Sequence, residues 1–336
     1  MIRKVRWGVV GVAKIAVEKV IPAMQRGAHS EVVAIASRDL AKAQSAASEL
    51  GLAMAYGSYD EMLRDPGIDA IYNPLPNHLH VPVSTAAAEA GKHVLCEKPL
   101  GLNADEARDL IAARDRAGVK IGEAFMVKTH PQWLRAQEIV RSGEIGDLRA
   151  VMGAFSYFNN DPANIRNKPE WGGGALFDIG CYTIIASRML FGEEPKRVCG
   201  LVERDPALGI DRLSSALLDF PSGQAVFTVS TQFVPYQRVQ AFGTKGRVEI
   251  EIPFNAPPDR ACRIFIDIGG KLDGSSIRTE EMPVCDQYQI QGDLFSQAVK
   301  GEGEVPVPLE ESFKNMAVID AVFASARSGA WSALKP

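Results

Sequence analysis

The chain has 336 residues, 46% of them hydrophobic and 23% charged, with a net charge of −4. That length exceeds what one hydrophobic core comfortably serves, so two domains are expected. The mildly acidic balance excludes a general attraction to nucleic acid or to an anionic membrane.

Residues 1–11 carry basic side chains but run straight into Val5-Arg6-Trp7-Gly8-Val9-Val10, too short and too interrupted for the apolar core of a signal peptide. No stretch approaches the ~20 apolar residues of a membrane span, and the expected location is the cytoplasm. Five scattered cysteines, Cys96, Cys181, Cys199, Cys262 and Cys285, form no C-x-x-C pair and have no His at a metal-ligand spacing. Reduced thiols are therefore expected, and no metal.

From Arg3 to about Phe125, strands are predicted at Val5–Val10, Val32–Ala36, Ala70–Asn73, His93–Cys96 and Lys120–Ala124, with helical runs between them. That alternation predicts an α/β domain with a parallel, doubly wound sheet. Helices over Leu40–Leu50 and Asn103–Ala117 end at Gly51 and Gly118, the residue type that best tolerates a left-handed terminus. Ser58 and Glu61 make a capping-box pattern before Met62-Leu63.

The first strand leads into Gly11-Val12-Ala13-Lys14-Ile15-Ala16. Small residues at 11, 13 and 16 fit a dinucleotide turn, in which backbone N–H groups and a helix N-terminus approach a pyrophosphate. Gly11, Val12, Ala13, Lys14 and Ile15 are the candidate cofactor residues here; alone, such a turn is equally a packing device. The second strand ends in Ser37-Arg38-Asp39. A hydroxyl and a guanidinium suit the 2′-phosphate of NADP, since Arg pairs with phosphate through two charge-assisted hydrogen bonds. The other reading makes Asp39 the ribose partner and Arg38 a solvated residue, which suits NAD.

Glu97-Lys98-Pro99 follows an apolar strand, at the strand end where ligands bind in open α/β sheets. Lys98 there can hold a substrate hydroxyl and lower its pKa, Glu97 can orient the amide or ribose side of the cofactor, and Pro99 can form a cis peptide that re-aims the lysine. An ordinary exposed ion pair is the plain alternative.

Beyond Phe125 a helix is predicted near Trp133–Ser142, then strands at Leu148–Tyr157, Lys196–Glu203, Leu213–Phe220, Gln224–Gln232 and Arg247–Ile252. Pro221-Ser222-Gly223 and Thr244-Lys245-Gly246 supply turns between neighbours. Residues 126–336 therefore predict an α+β domain with a largely antiparallel sheet, and helical patterns return at Tyr288–Lys300 and Glu310–Arg327. Gly172-Gly173-Gly174 opens a helix reaching toward Leu190, on which Asp178 and Tyr182 are four apart and share a face. The phenol can pass a proton with Lys98 lowering its pKa and Asp178 positioning the hydroxyl, or the pair can be a mere surface hydrogen bond. Phe155-Ser156-Tyr157-Phe158-Asn159-Asn160 fits a sugar pocket and a buried aromatic strand equally well.

Together, the N-terminal turn, Asn73-Pro74-Leu75-Pro76-Asn77-His78-Leu79-His80, Glu97-Lys98-Pro99 and Gly172–Tyr182 resemble the Gfo/Idh/MocA oxidoreductase family over nearly the whole chain. The resemblance implies a Rossmann domain at 1–125, a substrate and oligomer domain at 126–336 whose open sheet often forms the subunit contact, and a homodimer or homotetramer. It implies Lys98, Asp178 and Tyr182 at the catalytic site, with Tyr182 in place of the His common among inositol dehydrogenases. That is similar to the glucose-fructose oxidoreductase, NADP-dependent xylose dehydrogenase and dihydrodiol dehydrogenase branch. It further implies that Leu75, Pro76, Asn77 and His80 pass the cofactor's ribose and nicotinamide side and that Arg166 faces cofactor or substrate. For His78 and His80 a structural role is the other reading. Ile165 stands where glucose-fructose oxidoreductase has an aromatic residue, so an exchanging rather than permanently bound NADP is expected. The implied activity is hydride transfer between NADP and a sugar or polyol, foremost as an aldose 1-dehydrogenase. Reduction of a ketosugar or anhydrofructose and a non-catalytic NADP sensor are the alternatives.

Overall fold

The computed structural model describes residues 3–334. The chain divides into two compact units, the residues up to Thr129 with Asp286–Phe313, and His130–Cys285 with the residues from Lys314 onward. A single cut at 125, expected from the change of rhythm, is thus corrected: the helix Gln287–Val299 returns to the first unit. The reason is apolar burial. Trp7 is fully buried with its ring 5.6 Å from that of Phe295, and its indole N–H donates to Ser296 Oγ at 3.1 Å.

In the first unit, β1 (Val5–Val10), β2 (Ser30–Ala36), β3 (Met54–Tyr56), β4 (Ala70–Asn73), β5 (His93–Cys96) and β6 (Ile121–Glu123) build one sheet. Its order is β3-β2-β1-β4-β5-β6, with every pairing parallel. Because both faces are covered, the strands are apolar runs rather than alternating ones. Between β1 and β4 the chain reverses the direction in which strands are added, and ligands bind beyond the strand ends at such a point. The helices Leu40–Leu50 and Ala104–Ala117 begin on Asp39 and Asn103, whose side chains accept from backbone N–H groups three residues on, and they end on left-handed Gly51 and Gly118.

The second unit carries β7 (Leu148–Phe158), β8 (Arg197–Arg204), β9 (Asp211–Asp219), β10 (Gln224–Ser230), β11 (Gln232–Gly243), β12 (Arg247–Ile250), β13 (Arg263–Asp267), β14 (Ile277–Glu281) and β15 (Ser332–Ala333). They form a nine-stranded sheet in the order β14-β13-β12-β11-β7-β10-β9-β8-β15. All its pairings are antiparallel except β7 with β10. One face packs on the helix Cys181–Phe191. On the other, Met152, Phe158, Leu201, Val226, Val234 and Tyr236 are exposed. The segment Pro169–Phe191 is long and apolar enough to cross a membrane, but 83% of its most apolar window is buried in the protein, as in a core helix.

Candidate active site

In the first unit, Gly11 ends β1 with φ +84°, and its N–H donates to the carbonyl of Ala36 at 2.8 Å. A Cβ there would lie 2.7 Å from Leu75 Cδ2, so the turn needs glycine both for its dihedral and for the approach of the 73–80 loop. Helical backbone starts at Lys14, and among the described residues no side-chain oxygen accepts from the N–H groups of residues 12–15. Donors at a helix start with no protein acceptor are what a pyrophosphate requires. The Lys14 ammonium is exposed and lies 3.8 Å from Glu18, one helical turn on.

At the end of β2, Ser37 Oγ accepts from the Asp39 N–H, and Asp39 Oδ1 accepts from Lys42 N at 3.2 Å. The Asp39 carboxylate therefore serves as a helix cap. Arg38 is exposed, and among the described residues its guanidinium makes no ion pair or hydrogen bond. An uncommitted cation beside a hydroxyl fits a 2′-phosphate. Tyr59, which sequence reasoning did not single out, stands at the same place: its hydroxyl lies 3.7 Å from where a Cβ of Gly11 would be. Burial raises the Tyr59 pKa, and the Arg38 charge opposes that rise.

Leu75 is buried, its N–H bonded to Asn73 Oδ1, and Pro76 precedes the short turn Asn77–Leu79. The His80 ring is 1% exposed, with Nδ1 2.7 Å from the Pro99 carbonyl and Nε2 2.6 Å from that of Leu75. Burial lowers its pKa to about 4. Both ring nitrogens thus face backbone carbonyls, and the ring staples the loop to the segment after β5. That segment holds Lys98 behind a cis Lys98–Pro99 peptide. Glu97 is anchored at both oxygens, Oε1 accepting from the buried Tyr72 hydroxyl at 2.7 Å and Oε2 from the Lys98 N–H at 3.2 Å.

In the second unit, the helix carrying Tyr182 opens with a π-turn, Leu176–Gly180, continued by Cys181–Phe191. Wide turns of this kind concentrate at functional sites. Asp178 lies in the π-turn: its Oδ2 accepts from the Tyr157 hydroxyl at 2.6 Å and pairs with Arg166 Nε at 3.1 Å. Burial, then the Asp178 charge, pushes the Tyr157 phenol far above its ordinary pKa, so it stays a donor. Tyr182 is 6% exposed and packs between Phe155 and Phe254, at 5.9 and 5.3 Å between ring centroids. The structure thus joins Arg166 and Asp178, both singled out in sequence, in a direct ion pair, and adds Tyr157 of the aromatic run as a donor to the same carboxylate oxygen. Within that run Phe155 is buried in the core, as a buried aromatic strand requires, while the Tyr157 hydroxyl is spent on Asp178.

Residues 5–125 match the model of the oxidoreductase family with an NAD-binding Rossmann fold, and residues 133–249 match that of the GFO/IDH/MocA C-terminal domain. The chain belongs to the Gfo/Idh/MocA oxidoreductase family. This family member is 50% identical to an uncharacterized oxidoreductase of Rhizobium meliloti over 97% of its own length and 98% of the relative's. It is 41% identical to D-xylose 1-dehydrogenase (NADP(+)) 2 of Haloferax volcanii, over 96% of this chain and 98% of that one. Among solved structures it resembles the 3-ketoreductase KijD10 of Actinomadura kijaniata in complex with NADP and TDP-benzene, at a TM-score of 0.89 and 28% identity, covering 96% and 98% of the two chains. As a Gfo/Idh/MocA oxidoreductase, the protein is an enzyme that uses a nicotinamide dinucleotide, and the Gly11 turn with Ser37 and Arg38 fits that group.

Proposed function

We propose that the protein is an NADP-dependent aldose 1-dehydrogenase acting on a small pyranose. The observation that carries this reading is the Asp178 carboxylate, held between Tyr157 and Arg166 four residues before Tyr182, an acid–base arrangement with no need for a metal ligand set. Tyr182 takes the proton of the anomeric hydroxyl, Lys98 holds the oxygen as negative charge develops on it, and Asp178 accepts a neighbouring sugar hydroxyl. Bound NADP supplies the acceptor for the hydride leaving the anomeric carbon. Gly11, Val12, Ala13, Lys14 and Ile15 hold the pyrophosphate through backbone groups, and Ser37 and Arg38 the 2′-phosphate. Leu75, Pro76, Asn77 and Glu97 flank the ribose and nicotinamide side. The xylose dehydrogenase likeness across nearly the whole chain supports the substrate class.

The second reading, NADPH-dependent reduction of a ketosugar, is favoured by the likeness to a 3-ketoreductase. The exposed apolar face of the second sheet supports a homodimer or homotetramer. The deciding experiment follows the reduced-nicotinamide absorbance with NADP or NAD and a panel of aldoses, beside Lys98→Ala and Tyr182→Phe. Turnover of a pentose or hexose that both variants lose, while still binding NADP, supports the dehydrogenase. Silence with aldoses but oxidation of NADPH by ketosugars supports the reductase, and silence in both directions leaves a non-catalytic sensor.

A further inference from the structure

Asp211, the first residue of β9, is 2% exposed. Its Oδ2 accepts from the Leu176 N–H at 2.7 Å and from the Ser214 hydroxyl at 2.8 Å. Its Oδ1 lies against Gly174, whose φ is +121° and whose Cβ, if it had one, would overlap that oxygen. The Gly174 N–H donates to the Arg166 carbonyl at 2.9 Å, and the neighbouring Gly173 N–H to that of Lys168. One carboxylate therefore touches two backbone positions: the glycine that fixes the loop bearing Arg166, and the helix start that bears Asp178 two residues on.

A buried carboxylate is costly unless hydrogen-bonded. Here two donors and a helix N-terminus, which favours negative charge, receive it. Its charged neighbours are few. Arg204 of β8 is the cation whose field reaches it, donating to the Gly209 carbonyl, and Arg212, next along β9, is paired with Glu203. The oxygens of Asp211 are occupied by backbone and Ser214, so it has a holding role and not a chemical one.

We propose that Asp211 is the positioning residue of the candidate active site, its carboxylate clamping Gly174 and Leu176 so that Arg166, Asp178 and Tyr182 keep their working geometry. The proposal rests on the assignment of Asp178 and Tyr182 to the reaction. It also explains why the last of the three glycines before this helix is a glycine: only a bare backbone at Gly174 leaves room for the carboxylate, whereas Gly173 is needed for the close approach of the Arg166 and Lys168 carbonyls. Burial raises the Asp211 pKa to about 6, so the clamp carries its charge at neutral pH and loses it in mild acid.

The test compares Asp211→Asn with the wild type in the full chain. Asn keeps one acceptor and the size but removes the charge, and because ionised Asp211 is disfavoured by burial, the variant is expected to melt at or above the wild-type temperature at pH 8. The NADP Kd, read by fluorescence, should stay within twofold. kcat should fall ten- to a hundredfold, the acid limb of the wild-type kcat profile near pH 6 should vanish, and the Leu176 amide should exchange with deuterium about tenfold faster. Unchanged exchange at Leu176 with kcat within twofold and the acid limb intact overturns the clamp. A Tyr182→Phe variant measured alongside separates the two ideas: if it keeps turnover, the catalytic assignment falls, while the Leu176 exchange rate still decides whether Asp211 holds the turn.

Discussion

Two glycine turns open the two helices that matter in this protein, and they treat the helix N-terminus in opposite ways. After Gly174 the anion that a helix start favours is built in, as the Asp211 carboxylate on the Leu176 N–H. After Gly11 no side-chain oxygen among the described residues takes that place, and the nearest side chains are Leu75 and the Tyr59 hydroxyl. Both helices go on into a π-turn, Ala16–Val20 and Leu176–Gly180. The same local design is thus satisfied internally beside the candidate catalytic side chains, and left open at the turn proposed to take a phosphate.

The difference can be broken at the filled turn first. Gly174→Ala forces a left-handed alanine into a carboxylate, and a loss of roughly 3 kcal/mol or more in denaturant unfolding is expected; a wild-type midpoint would show that the turn is not packed as described. The neutral cap of the same unit sharpens the contrast with the charged one. His130 accepts from the Gln132 N–H through Nδ1 at the start of the helix Pro131–Arg141, and burial lowers its pKa to about 4. Below pH 6.5 the unfolded chain binds the proton first, so stability declines by about 3 kcal/mol as pH falls toward 4. His130→Asn keeps a cap, and its unfolding free energy should flatten over that window. Asp211 has the opposite sign: its pKa is raised from 3.8 to about 6, so its contribution is full below pH 3.8 and is lost as pH rises through 6.

Effects at the open turn should be smaller in stability and larger in binding. Arg38→Ala removes charge-assisted hydrogen bonds of about 1.5–3 kcal/mol, so NADP affinity by calorimetry should drop roughly ten- to a hundredfold while NAD affinity barely moves; an equal loss for both would put Arg38 elsewhere than at the 2′-phosphate. Gly11→Ala at φ +84° should cost only about 1–2 kcal/mol of stability, since the Leu75 methyl it meets can move. Its dinucleotide Kd should nevertheless rise about tenfold.

What the sequence made legible is what local chemistry dictates. Five of the six parallel strands, the left-handed ends at Gly51 and Gly118 and the Asp178–Tyr182 helix follow from apolar runs, glycine placement and periodicity. β3 escaped because three half-buried residues carry no pattern, and β11 because its first half, with Pro235, is exposed and does not alternate. Asp211 gave no local sign either: it stands 35 residues from its partner Leu176, and only the sheet brings them together. The Tyr157 hydroxyl on Asp178 was half visible, as an aromatic alternating with Phe155. The return of Asp286–Phe313 to the first unit had no signal, because a helix does not announce which core its apolar face will fill.

That return sets an order of events when the chain is made. A ribosome that has released residues 1–129 has delivered every strand of the parallel sheet, yet Trp7 still lacks Phe295 and the Ser296 hydroxyl, and the Glu123 N–H lacks the Val307 carbonyl that it meets at 3.0 Å. The earliest-born unit is therefore among the last to close, and a gene cut after the Rossmann strands yields an open core instead of a portable nucleotide-binding module.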